Sequence, residues 1–227
     1  MDKHAVILLS GGLDSTTVLA IAKDQGVKLH AISFSYGQNH CHEIDQARMI
    51  AKTFSVESHT VIELGLAAFG ESALTADIPV PKHGNVDEIG QDIPVTYVPA
   101  RNTIFLSYAL ALAEVKRANA IYIGVNALDY SGYPDCRPEY IVAFEKMANY
   151  ATKAGVTGSP IQIIAPLQHL TKAEIIAQGI ELGVDYSMTT SCYDPNQQNH
   201  ACGGCDACLL RLRGFAENGI KDPTRYQ

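Results

Sequence analysis

Short apolar runs alternate with segments of helical spacing along most of this chain. That alternation restricts the fold more than any other feature. His4 to Leu9 (HAVILL) reads as a buried strand and Leu13 to Asp24 as a helix that Gly26 ends. Leu29 to Phe34 is a second strand. Glu43 to Phe54 follows as a helix, with Ile44, Ala47, Ile50 and Ala51 at helical spacing. Glu57 to Ile62, Ala120 to Val125 and Ile161 to Ala165 supply three more strands. Asn102 to Lys116, Pro138 to Lys153 and Thr171 to Leu182 supply three more helices, the last with Thr171 as N-cap. Such an order predicts an α/β fold, a doubly wound parallel sheet of about five strands with right-handed crossovers. Ligands in such sheets bind beyond the carboxyl ends of the strands. LSGGLDS, SFSYGQNH, GVNALDYSGYPDC and APLQHLTK each follow a strand, so they are expected to converge on one face.

The chain's 227 residues fit one large domain with a small appendage. We expect residues 1–185 to form the domain and residues 186–227 a C-terminal metal-binding segment packed on it. A hydrophobic content of 47% and a mean hydropathy of +0.01 argue against disorder. The longest apolar runs fall far short of the roughly 20 residues that span a bilayer. MDKHAVILLS lacks the apolar region and cleavage site of a signal peptide, so a cytoplasmic location is expected. The formal net charge of −7 disfavours a stable nucleic-acid partner. The one compact basic pair, Arg211 and Arg213, is read as solvated on a helix face or answering local negative charge.

Ser10-Gly11-Gly12-Leu13-Asp14-Ser15-Thr16 lies where the first strand turns into the first helix. Glycines let backbone N–H groups approach an anion, and the helix N-terminus adds a favourable dipole. Ser10, Ser15 and Thr16 offer hydroxyl donors. Asp14 repels a naked phosphate, so it suits a Mg²⁺ contact or a helix start. The plainer alternative is an ordinary tight turn with capping. GxxxxGK[ST] and GxGxxG do not fit the stretch.

Six cysteines are unevenly placed: Cys192, Cys202, Cys205 and Cys208 form C-x9-C-x2-C-x2-C, while Cys41 and Cys136 stand apart. Four thiolates at this spacing suit a closed tetrahedral Zn²⁺ site of structural type. An iron–sulfur cluster or a redox pair in CGGC or CDAC are the competitors. Gly203 and Gly204 ease the turn, and His200 is a nearby substitute ligand. The cluster is expected to staple a C-terminal hairpin.

Two loops remain. Residues 75–99, with four prolines and little periodicity, read as a lid, a docking segment or a partly disordered insertion. DYSGYPDCRP, residues 129–138, reads as too polar and turn-rich for core. Asp135 can accept from the N1–H and amino group of a guanine-like base, and Tyr133 can stack on its ring. Their local alternatives are an Asx turn and a surface lid.

SGGLDS resembles the signature of the PP-loop ATP pyrophosphatases, whose loop holds ATP's β and γ phosphates as departing pyrophosphate while a substrate oxygen takes AMP. The resemblance implies the adenine nucleotide alpha hydrolase-like fold, with Leu9, Ser10, Gly11, Gly12, Leu13, Asp14, Ser15 and Thr16 around the nucleotide. SGGLDS, YGQNHCHE, VPARN, SGYPDCRP, PLQHLTKAEI and the four-cysteine tail also occur in the order seen in the 7-cyano-7-deazaguanine synthase branch of that family. The likeness spans nearly the whole chain. Asn39 departs from it, standing where that branch usually has arginine.

The branch joins 7-carboxy-7-deazaguanine to ammonia and continues to the nitrile, using ATP twice and releasing AMP and pyrophosphate. Carried onto this chain, the likeness implies ATP, Mg²⁺ and Zn²⁺, a homodimer, and substrate contacts from Tyr133, Asp135, Arg137 and His40. Lys172 is read as the cation on pyrophosphate, its alternative a solvated first-turn lysine. Arg101 is a second cation, its alternative a salt bridge at a helix start. His40 and Glu43 either close over the site or are structural, and Cys136 is read as a pocket wall. Cys41 has no argued role. Ammonia comes from solution or a partner, since no glutaminase segment is visible. The rivals are a tRNA sulfurtransferase of the same PP-loop family and a non-catalytic zinc-stabilised nucleotide sensor.

Overall fold

The computed structural model describes residues 3–38, 42–90, 92–128 and 132–227. Among the described residues five strands, β1 (His4–Leu8), β2 (Lys28–Ser35), β3 (Ser58–Glu63), β4 (Ala120–Tyr122) and β5 (Gln162–Ile164), pair in the order β3-β2-β1-β4-β5. Every pairing is parallel. The helices are α1 (Leu13–Asp24), α2 (His42–Thr53), α3 (Arg101–Lys116), α4 (Pro138–Ala151), α5 (Lys153–Val156), α6 (Lys172–Glu181) and α7 (Asp206–Glu217).

The central strand β1 is apolar on both faces because both faces are covered. Ala5, Ile7 and Leu9 enter a core with residues of α1, α2 and α6. Val6 and Leu8 enter the opposite core with residues of α3 and α4. Nine residues of α1, from Leu13 to Ala22, are buried, because this helix lies between the sheet and α6. β4 is shorter than the expected strand at 120–125. At Gly124 a Cβ would stand 3.1 Å from the Ser15 nitrogen, so the chain end of β4 passes close against the start of α1.

The chain winds β1–β2–β3 to one side and then returns to place β4 on the other side of β1. A crevice at this switch between β1 and β4 is where such sheets take ligands.

Three expectations need correction. The cysteine-bearing end forms a helix, α7, and not a hairpin, with Cys205 as N-cap and Asp206 favourably placed in the first turn. Arg211 is not solvated: its side chain is 2% exposed and held by Asp222. Arg213 is the exposed member, paired with Glu217 one turn on at 2.7 Å. Among the described residues of 129–138, Tyr133, Asp135 and Cys136 are core, not surface. Burial is tolerable because the Tyr133 and Thr96 hydroxyls bond at 2.7 Å and one Asp135 oxygen accepts a helix N–H.

The proline-rich segment 75–99 is docked against the C-terminal segment. Lys82 Nζ reaches Asp194 at 2.8 Å, and the His83 N–H donates to the Gly204 carbonyl at 2.8 Å.

Candidate active site

A cavity of about 240 Å³ opens at the carboxyl ends of β1, β2 and β4. Leu9, Ser10, Gly12, Leu13, Asp14 and Ser15 contribute its floor from the β1–α1 junction. Gly11 is turned away from it, at φ 86°, and a Cβ there would meet the Glu43 carbonyl oxygen at 2.6 Å. Only glycine lets α2 press this closely on the loop. The Ser10 and Ser15 hydroxyls lie 3.0 Å apart and fix the loop's shape. Thr16 does not face the cavity. Its hydroxyl donates to the Gly12 carbonyl at 2.8 Å, its N–H bonds the same oxygen, and the residue is 1% exposed. Helix geometry therefore occupies the Thr16 donors that the sequence suggested were free for phosphate.

Lys172 arrives 158 residues later in the chain. It is the first residue of α6, which Thr171 and Glu174 start with a full capping box. Its Nζ lies 2.7 Å from Asp14 Oδ1, with side-chain exposures of 7% and 19%. Lys172 thus stands beside the β1–α1 loop, on a helix that only the tertiary fold brings there. Its stem also borders a second cavity between α6 and α7.

The opposite wall is aromatic and cationic. Phe34 and Phe105 stack with centroids 4.1 Å apart, and Tyr36 and Tyr133 border the same space. Such a slot suits a planar heteroaromatic ring. Arg101, the first residue of α3, points into it and donates to the Tyr36 hydroxyl at 3.4 Å. The preceding Ala100 is left-handed, at φ 54°.

Asp135 stands behind this wall. Its Oδ2 accepts the Asn102 N–H at 3.0 Å, capping α3, while Oδ1 is buried without a hydrogen bond among the described residues. Burial pushes its pKa up, partly offset by the Asn102 bond. The unengaged Oδ1 keeps one acceptor for a further donor. Arg137 is exposed and N-caps α4, away from the cavity lining. Cys136 lines the cavity, but burial pushes its thiol up to about 12, so it stays protonated and unsuited to nucleophilic attack. Glu43 also lines the cavity; burial raises its pKa to about 7, with Arg101 opposing. His40, Asn39 and Cys41 lie outside the described residues.

Sequence reasoning missed Asn102, Asn126, Thr190, Ser191 and Tyr193, all of which border the cavity. Asn126 is fully buried and donates to the Leu167 carbonyl at 2.9 Å, tying the β4 exit to the loop before α6. Its position at a strand end in GVN was the available signal. The Thr190 N–H donates to the Gly11 carbonyl at 3.1 Å, so the segment before the cysteines braces the β1–α1 loop.

The four sulfurs of Cys192, Cys202, Cys205 and Cys208 lie within 4.8 Å of one another. Thiolates on a tetrahedral zinc, with Zn–S of about 2.3 Å, stand about 3.8 Å apart. The fit is supported by backbone N–H groups on the sulfurs: Cys202 and Asp194 donate to Cys192 Sγ at 3.2 and 3.3 Å, and Cys205 to Cys202 Sγ at 3.3 Å. All four are free of disulfides. His200 is not part of the cluster. Gly203, at φ 75°, turns the chain between two of the cysteines. Cys192 and its neighbour Tyr193 also line the cavity, so the metal-type cluster shares a wall with it.

Among solved structures, the fold is similar to an NMN synthetase from Francisella tularensis, with a TM-score of 0.52 and 19% identity over 97% of this chain and 79% of that one. It is also similar to a 4-thiouridine synthetase in an RNA complex with bound ATP, with a TM-score of 0.53 and 22% identity over 80% of this chain and 41% of that one. These likenesses concern the fold. Sequence relatives are much nearer. A 7-cyano-7-deazaguanine synthase of Kineococcus radiotolerans is 62% identical over 227 residues, 100% of this chain and 99% of the relative. Another, of Desulfatibacillum aliphaticivorans, is 62% identical over 225 residues, 99% of this chain and 97% of the relative. The family described as queuosine biosynthesis protein QueC matches residues 4–219. With the loop, the cavity and the cysteine cluster all inside that match, the chain belongs to the queuosine biosynthesis protein QueC family.

Proposed function

We propose that this chain is an ATP-dependent ligase that converts 7-carboxy-7-deazaguanine and ammonia to 7-cyano-7-deazaguanine. Two adenylation rounds, first of the acid and then of the amide, each release AMP and pyrophosphate. The observation that carries this reading is the meeting of three features at one cavity: the β1–α1 loop, Lys172 beside it, and an aromatic slot opposite.

In each round the chemical difficulty is the same, because a poor leaving oxygen must become a good one. The substrate's oxygen attacks the α-phosphorus of ATP and pyrophosphate leaves. Ser10, Ser15 and the Gly12 N–H border the departing phosphates, with Lys172 and Arg101 offsetting the charge that develops. Magnesium, when bound, supplies further charge for those oxygens, and Asp14 is the carboxylate beside the loop that would contact it. In the first round ammonia displaces AMP to give the amide. In the second, loss of AMP from the adenylated amide leaves the nitrile. Tyr133 would pack against the deazaguanine ring, and the unengaged oxygen of Asp135 would accept from its N–H edge. Thr16 and Arg137 take structural roles in this reading, while His40 is kept as a substrate contact.

The cysteine cluster would hold a structural zinc through Cys192, Cys202, Cys205 and Cys208, since four thiolates leave no open position. Residues 1–185 are read as the catalytic domain and 186–227 as a segment packed on it. The protein is further read as a cytoplasmic homodimer without a stable nucleic-acid partner. No described helix is long and apolar enough to cross a membrane.

The deciding measurement is release of AMP and pyrophosphate on mixing the protein with ATP, 7-carboxy-7-deazaguanine and ammonia. Two AMP per nitrile are expected. ATP binding without AMP production would sink the reading in favour of a nucleotide sensor.

A further inference from the structure

Nitrogen enters this reaction carrying protons that must leave. When ammonia adds to the acyl adenylate, the new C–N bond gives a tetrahedral adduct with a positively charged nitrogen. Loss of one proton and of AMP yields the amide. In the second round the amide oxygen takes AMP as pyrophosphate departs, and two N–H protons and AMP are then lost as C≡N forms. Departure of AMP without removal of these protons leaves charge on a nitrogen inside a largely apolar cavity, so a base placed at the cavity would speed both rounds.

The cavity restricts where such a base can be. Asp14 lines it, but its carboxylate is engaged by Lys172 at 2.7 Å. The Tyr133 hydroxyl is bonded to Thr96, and burial raises the pKa of both Tyr36 and Tyr133. The Cys136 thiol is held neutral by burial. Cys192 belongs to the sulfur cluster. Arg101 is already protonated and cannot accept a proton, and the open Asp135 oxygen is assigned to the N–H edge of the ring. Glu43 remains. It lies in the first turn of α2, its backbone pressed against Gly11, and its side chain borders the space between the β1–α1 loop and Arg101. Among the described residues no hydrogen bond or ion pair holds its carboxylate.

We propose that Glu43 is the general base that takes the nitrogen's protons in both rounds, passing each to solvent before the next step. The assignment rests on the adenylation reading above. A carboxyl poised near neutrality is suited to the task, because it is part ionised at working pH and returns its proton readily. The close contact of the Glu43 backbone with Gly11 holds the start of α2 against the loop and so fixes the base relative to it.

The test separates this assignment from the reading beneath it. Adenylation of the acid needs no base, and it is followed without ammonia by exchange of labelled pyrophosphate into ATP that depends on 7-carboxy-7-deazaguanine. Glu43→Gln is expected to keep that exchange within a few-fold of the parent. Its single-turnover rate of amide formation, expressed per free ammonia, is expected to fall about 10²–10⁴-fold. The parent's rate is expected to decline below pH of about 7, and the variant's to lose that limb. Glu43→Asp should restore part of the rate. No exchange in the parent would overturn the adenylation reading and this assignment with it. Normal exchange together with normal amide formation in Glu43→Gln would overturn the base assignment alone. Loss of exchange in a variant that melts normally would also overturn it, making Glu43 a nucleotide contact.

Discussion

The Arg211–Asp222 pair offers a sharp test of how this molecule is held together. Both side chains are 2% exposed. Arg211 Nε meets the two Asp222 oxygens at 3.1 and 2.9 Å, while its other nitrogens donate to the Thr189 hydroxyl at 2.7 Å and the Tyr186 carbonyl at 3.0 Å. The guanidinium also lies over the Phe215 ring, 5.3 Å from its centroid. Arg211→Met keeps much of the packing volume but leaves the Asp222 carboxylate buried with only the Tyr226 hydroxyl and the Thr224 N–H. Removing one partner of a buried pair costs about 3–5 kcal/mol. A chain of this size loses about 2–4 °C per kcal/mol, so a fall in melting midpoint of about 6–20 °C is expected. Asp222→Asn added to Arg211→Met removes the stranded charge and should recover part of the loss, giving a coupling that a double-mutant cycle reads directly. Calorimetric melts of the four proteins, all at one metal concentration, measure it. A single variant that melts within 2 °C of the parent, or a double variant no better than the single, would refute the argument. The pair also holds Thr189, next to the Thr190 that braces the β1–α1 loop, so a weaker KM for ATP should accompany the loss.

Lys172→Met retains the stem that packs near Gly214 and removes the charge beside Asp14. Turnover measured as pyrophosphate release should fall about 10²–10³-fold, as for loss of one oxyanion-stabilising donor, with a smaller fall in melting midpoint than for Arg211→Met because Asp14 is partly exposed to water. Native mass spectrometry should find one zinc per chain, and Cys205→Ser, at a fully buried sulfur, should lose the metal and melt earlier. A metal-free parent that melts like the metal-bound one would contradict the structural role. Burial, then Lys116 and His4, lowers the pKa of His30, and burial and Arg48 lower that of His59. The fold therefore favours neutral imidazoles, and stability present above pH of about 6.5 is lost as pH falls towards the depressed values. The melting midpoint should drop between pH 7.5 and 5.5, and drop less in His30→Asn/His59→Asn; equal drops would exclude these histidines as the cause.

Much of this protein was decided locally. Strand β1 had to be buried on both faces because HAVIL alternates no polar residue into its middle. Thr171 and Glu174 fix the start of α6 by a capping box written in four letters, T-K-A-E. The cysteine spacing likewise points to a cluster, because the two x2 gaps set three thiols on one short segment and bring the Cys205 N–H onto the Cys202 sulfur. What lay beyond reach of the sequence was the partner of each charged group. Nothing near Asp14 announces Lys172, and nothing near Arg211 announces a carboxylate eleven residues on that is buried with it. Thr16 looked like a donor for phosphate until the helix claimed both its N–H and its hydroxyl. DYSGYPDCRP looked too polar for core until Thr96 engaged the Tyr133 hydroxyl and the α3 N-terminus engaged one Asp135 oxygen. Spacing and periodicity dictate the backbone bonds within helices and turns, since those bonds are local. Burial and pairing of side chains depend on which distant surfaces the sheet brings together, and only the tertiary structure decides that.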